Sequence, residues 1–269
     1  GAPGRARPGA PPPNIPTGDN IAKYEEIPFG VIDAQRVQQI SANNPFVSDD
    51  ICPDDNIAKN QNSHLYILPS YFNHSCLPNA FRSFFGDIIA IHASEDIKKG
   101  DEIFLPYLYP LNAYLERKNT IMARGFICQC KLCELDANDP NCLIRDQMLK
   151  KLKDFKKDYT PNFVVANGEP ILKKIRESYV NRNELKVVLA QALVILGSAY
   201  FNTQKSSRAI TCLEEAVSLM NNNPLKYSMR IADICVNIGT CYLSSGNRRK
   251  FNDITGRQTY VPTKRDETR

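Results

Sequence analysis

Three cysteines fall within six residues, Cys128-Gln129-Cys130-Lys131-Leu132-Cys133, and this knuckle constrains the fold more than any other stretch of the chain. Thiols this close in sequence converge readily on one metal ion. Structural zinc takes four N or S ligands in a tetrahedron, about 2.3 Å from each sulfur. The competing role for a free cysteine is that of a small buried hydrophobe. The polar neighbours Gln129, Lys131 and Glu134 argue against it here, whereas Cys212, Cys235 and Cys241 sit on apolar helical faces and are expected in the core. A fourth ligand must come from outside the knuckle. Cys76, Cys142, Cys52 and the three histidines are candidates, and Cys142 is the nearest in sequence.

Nine cysteines, an odd number in clustered spacing, fit reduced thiols and metal better than a disulfide framework. A reducing compartment follows: nucleus, cytoplasm or both. The formal charge of +5 is scattered and forms no basic block, so direct nucleic-acid binding is not indicated. No apolar run approaches the ~20 residues that span a bilayer. Residues Gly1 to Pro16 are rich in Pro, Gly and Ala and lack the apolar stretch of a signal peptide, so no membrane partner is expected.

Residues 1–20 read as a disordered lead, because Pro and Gly at this density cannot build a packed core. Over 21–62 the apolar residues Val31, Ala34, Val37 and Ile40, with Gln38, lie largely on one helical face, and a Pro- and Asp-rich loop from Asn44 to Asn56 follows. The period then changes to that of strands: Ala80 to Phe85 and Ile88 to Ala93 form a hairpin about Gly86-Asp87, and Ile103 to Leu105 a short third strand ended by Pro106. Beyond the knuckle the pattern is helical. Leu143, Gln147, Met148, Lys151, Leu152 and Phe155 mark one helix, and Pro170 opens a second that runs to Asn181. Leu193, Leu196, Gly197, Tyr200, Ala209, Leu213 and Ala216 match the large and small positions of a tetratricopeptide unit. Cys235, Ile238, Gly239 and Tyr242 repeat its first half 42 residues later, so the repeat has diverged and its connection is longer. After Gly246 the pattern is lost, and residues 247–269 read as a basic polar tail without a closing helix.

Three motifs in order, Asn73-His74-Ser75-Cys76-Leu77-Pro78-Asn79, then Gly100-Asp101-Glu102-Ile103 with Tyr107 four residues on, then Phe126 ahead of the knuckle, resemble the core of SET-domain protein lysine methyltransferases. The resemblance is to the group that joins a MYND zinc module, a split SET domain and a tetratricopeptide-like tail. It implies an α+β fold: a β-rich SET core (63–110), a post-SET zinc segment (111–140) and an all-α helical domain (141–246). It selects Cys76 to complete a zinc site with Cys128, Cys130 and Cys133. It further implies that Asn73 and His74 contact S-adenosylmethionine, that Phe126 packs on its adenine and that Tyr107 is the catalytic tyrosine of the lysine channel. A lysine-bearing protein or peptide is then the substrate, and the helical repeats offer a surface for a second peptide. The family's Gly-rich cofactor loop and MYND knuckles have no counterpart in residues 1–60, so a chain truncated at its N-terminus is expected. A catalytically inactive, zinc-stabilised interaction module is the alternative reading.

Overall fold

Asp33 sets the start of the first helix, its carboxylate accepting from the Arg36 amide at 3.0 Å. The computed structural model describes residues 33–47, 63–85, 87–109, 111–221 and 229–259. The disordered lead expected over 1–20, Cys52 and most of the Asn44–Asn56 loop lie outside these residues, as does the tail beyond 259. Helix α1 (Ala34–Asn43) forms where its periodicity indicates, yet it buries none of its residues, and Val37 and Ile40 stay exposed.

Among the described residues the strands form three small two-stranded sheets. β1 (Phe46–Val47) pairs antiparallel with β2 (Ser63–His64), an element inside the stretch expected to be loop. β4 (Ala80–Phe85) and β5 (Ile88–Ala93) form the hairpin at the expected boundaries, in register from Ala80↔Ala93 to Phe85↔Ile88. β6 (Phe104–Leu105) ends before Pro106, whose missing N–H cannot extend a ladder. Its partner is β3 (Asn73–His74), in parallel, with Asn73↔Phe104 and His74↔Leu105 opposite each other. This pairing lays the Asn-His-Ser-Cys segment alongside the Gly-Asp-Glu segment. Asn79 reinforces it, donating to the Glu102 carbonyl and accepting from the Phe104 amide, both at 2.8 Å.

Helices make up the rest. α2 (Tyr114–Met122) and α3 (Lys131–Ala137) flank the knuckle, and α4 (Cys142–Asp158) follows. The buried face of α4 differs from the expected one. Leu143 is half exposed, and Cys142, Arg145, Asp146, Leu149 and Leu152 face inward, because the polar pair Arg145 and Asp146 is drawn in by partners on other elements. α5 runs from Pro161 to Glu177, so Pro170 lies inside it instead of opening it. The start signal is Thr160-Pro161: Thr160 Oγ1 accepts from the Phe163 amide, and Pro161 occupies the first turn, where no N–H is needed.

α6 (Val187–Asn202) is apolar nearly all round and is the buried centre of the helical part, with α4, α5, α7 (Ser206–Asn221) and α8 (Met229–Ser244) against it. α6 and α7 are the tetratricopeptide pair, and α8 begins 42 residues after α6, as the spacing of the small residues indicates. The tail reading needs correction, because α9 (Arg248–Thr259) packs back onto α8 and completes a second helical pair. Asn247 accepts from the Lys250 amide to start it, and Phe251 and Ile254 reach the core. Two apolar residues among basic ones make a stripe too narrow to stand out in sequence.

Gly197 is where α6 and α7 come closest. A Cβ there would lie 2.6 Å from Leu213 Cδ2 and 2.7 Å from Leu213 Cγ, so the branched end of that side chain would have to move as a whole. Gly197→Ala is expected to destabilise the fold by roughly 1–3 kcal/mol, the usual cost of overpacking, read as a lower midpoint in urea unfolding.

Candidate functional site

The turn after β3 and the knuckle bring four sulfurs together. Sγ of Cys76, Cys128, Cys130 and Cys133 all lie within 4.8 Å of one another. Cys76 Sγ is 3.6 Å from Cys133 Sγ and 4.0 Å from Cys128 Sγ. Sulfurs about 2.3 Å from a tetrahedral ion are separated by about 3.8 Å, so the donor set and its spacing suit zinc. Cys142 stands apart: it is buried at the start of α4, and burial pushes its thiol up to about 12. The four clustered thiols compete for protons. Hydrogen bonds to Cys128, Cys130 and Cys133 push Cys76 far up, while those from Cys130 and Cys133 push Cys128 far down. A soft dication bound there would end this competition by letting all four ionise.

The parallel β3–β6 pair places Tyr107 next to His74. The Tyr107 amide donates to His74 Nδ1 at 3.1 Å, and the two rings lie 5.3 Å apart. The Tyr107 hydroxyl donates to the Phe72 carbonyl at 2.5 Å. Burial raises its pKa against the opposing charge of Arg124, so the phenol stays protonated at neutral pH. Phe126 completes an aromatic mouth, its ring edge-on to Tyr107 at 6.4 Å and 6.2 Å from His74, and it is 37% exposed. Arg124, which the sequence pattern did not single out, lies over the Tyr107 ring at 5.3 Å. Asn73, next to His74 on β3, is exposed, its Nδ2 donating to the Glu102 carboxylate at 2.6 Å. All eight residues nominated from the sequence therefore fall in one region. A cavity of about 430 Å³ also borders the cluster, lined by Cys76, Arg117, Ile121, Met122 and Cys128, with neither Tyr107 nor Phe126 in its wall.

Sequence reasoning missed the ionic network beneath the knuckle. Arg117 of α2 pairs with Asp136 of α3, which also accepts from Arg182 at 2.5 Å. Arg182 lies 3.6 Å from Asp139, which pairs in turn with Arg145 of α4. Every member is buried or nearly so. Asp146, also on α4, accepts from the Tyr114 and Leu115 amides at 3.1 and 2.7 Å and so caps α2, whose N-cap residue Ala113 has no side chain that could. The knuckle is thereby fastened to the helical part by charge as well as by apolar packing. Widely spaced charged residues look like solvated surface in one dimension, and no local signal marked them.

The SET domain family model matches residues 13–108, and the tetratricopeptide repeat model matches 190–223. Among curated relatives, N-lysine methyltransferase SMYD2-A of Xenopus laevis is 24% identical over 192 residues, covering 64% of this chain and 44% of that protein. Protein-lysine N-trimethyltransferase SMYD5 of Mus musculus is 38% identical over 87 residues, covering 30% of this chain and 21% of that protein. Histone-lysine N-methyltransferase SET5 of Eremothecium gossypii is 33% identical over 81 residues, covering 30% of this chain and 17% of that protein. The chain carries a SET domain followed by a tetratricopeptide repeat, and its relatives are SET-type lysine methyltransferases. It spans less than half the length of each of these three.

Asp136→Ala would leave Arg117 and Arg182 buried without their shared carboxylate. A loss of about 3–5 kcal/mol is expected, measured by urea unfolding, while Lys173→Ala in the exposed pair with Glu177 should change little.

Proposed function

We propose that this chain serves S-adenosylmethionine-dependent methylation of protein lysines, with one zinc ion held by Cys76, Cys128, Cys130 and Cys133. One observation carries the reading: three motifs distant in sequence meet where β3 pairs with β6, so Tyr107, Phe126 and the four-sulfur cluster border the same segment. S-adenosylmethionine supplies the methyl group as an electrophilic sulfonium. The residues here supply position and electrostatics, which is where an in-line displacement gains most.

Phe126, 37% exposed, stacks the adenine, and the exposed Asn73, on β3 just ahead of Cys76, contacts the cofactor as well. His74 meets the cofactor through its backbone, since its ring is buried. The protonated hydroxyl of Tyr107, beside the Phe72 carbonyl, orients the acceptor amine at the mouth. The positive charge of Arg124 over that ring disfavours an ammonium and favours the neutral amine that attacks. Among the described residues no helix is long and apolar enough to cross a membrane. A lysine-bearing protein in the nucleus or cytoplasm is the substrate, and α6–α9 offer a concave surface for a peptide partner.

Metal analysis of the purified chain should give one zinc, retained in Cys142→Ser and lost in Cys130→Ser. Zinc should also leave as the pH falls and the thiolates protonate. Transfer of labelled methyl from S-adenosylmethionine to protein lysine tests the activity, and Tyr107→Phe should lower it roughly 100-fold or more. No binding of S-adenosylmethionine by calorimetry at about 1 mM would leave this chain a zinc-stabilised interaction module.

A further inference from the structure

His74 is only 6% exposed, and both nitrogens of its ring are engaged. Nδ1 faces the Tyr107 backbone amide at 3.1 Å, a group that can only donate, so Nδ1 accepts and carries no proton. A neutral imidazole then holds its proton on Nε2, which lies 3.3 Å from Cys76 Sγ. The hydrogen-bond pattern alone therefore fixes the tautomer.

We propose that His74 is a positioning residue that joins the metal centre to the channel tyrosine. Its Nε2–H donates to the Cys76 sulfur while its Nδ1 accepts from the Tyr107 amide. An N–H aimed at a ligating thiolate stabilises the anion and fixes its direction, as outer partners of metal ligands do generally. At the other end, the bond to the Tyr107 amide anchors the backbone from which the phenol reaches the Phe72 carbonyl. Cys76 and Tyr107 lie on different segments, and the imidazole ring is the rigid spacer between them. The inference rests on the zinc reading above, but it requires neither methyl donor nor substrate.

The test uses the whole chain loaded with cadmium-113 and labelled with nitrogen-15. With three histidines in the sequence, the imidazole spectrum is simple to assign. His74 should appear as the pure Nε2–H tautomer, with a slowly exchanging proton that shows scalar coupling to the cadmium through the sulfur. His74→Leu should release zinc to a chelator about tenfold faster or more, and the Tyr107 amide should lose its protection from hydrogen exchange. A loaded chain whose His74 is the Nδ1–H tautomer, or shows no coupling, overturns the role of His74 and leaves the zinc site standing. A chain that takes up no cadmium overturns both. If the leucine variant does not fold, the spectrum of the unaltered chain still decides.

Discussion

The meeting of Cys76 with a knuckle 52 residues downstream is the contact on which the rest of the site depends. Closing so long a loop costs entropy that grows only slowly with its length. Four sulfurs within 4.8 Å offer a compensating interaction once a soft dication binds. The other site residues lie on or next to the path between these thiols: β3 leads into Cys76, β6 pairs with β3, Tyr107 follows β6, and Phe126 precedes Cys128. Fixing the two ends of the loop fixes the aromatic mouth between them.

A second coupling holds the knuckle from behind. Asp136 is shared by Arg117 and Arg182, and Asp139 by Arg145 and Arg182, so α2, α3 and α4 and the turn before α6 meet in one buried network. Buried ion pairs contribute little net stability against apolar packing, but they penalise any arrangement that breaks them. Arg117 belongs to this network and also lines the cavity beside Cys76 and Cys128. The helical part is thus joined to the four-cysteine cluster through charged side chains as well as through a common apolar core.

Much of the fold was legible in the chain, and particular residues show why. The hairpin boundaries at Ala80–Phe85 and Ile88–Ala93 were readable because alternation and a tight turn are local signals. Gly197 marked a helix–helix approach because two helices come this close only where one of them lacks a side chain. Where reading failed, a signal was weak or had two meanings. Pro170 looked like a helix start but lies within α5, since Thr160 and Pro161 had already started it. Helix α9 sends Phe251 and Ile254 to the core, and its basic residues masked the stripe. The buried face of α4 turned because Arg145 reaches the distant Ser178 carbonyl and Asp146 the Leu115 amide, partners that no local pattern marks.

By itself the sequence determined the chemistry on offer: which thiols cluster, which tyrosine follows a strand, and where helices repeat. These follow from spacing along the chain, which needs no knowledge of distant neighbours. Residue spacing left Cys76 and Cys142 both open, and only the resemblance favoured Cys76. The tertiary structure brought Cys76 to the knuckle, turned the His74 ring inward between Cys76 and Tyr107, and took the charged side chains of Arg117, Asp136, Arg145, Asp146 and Arg182 out of solvent. The reason is physical: a thiol, an imidazole or a guanidinium has no preferred partner until folding removes water and sets directions, and directions across long loops are not written in local spacing.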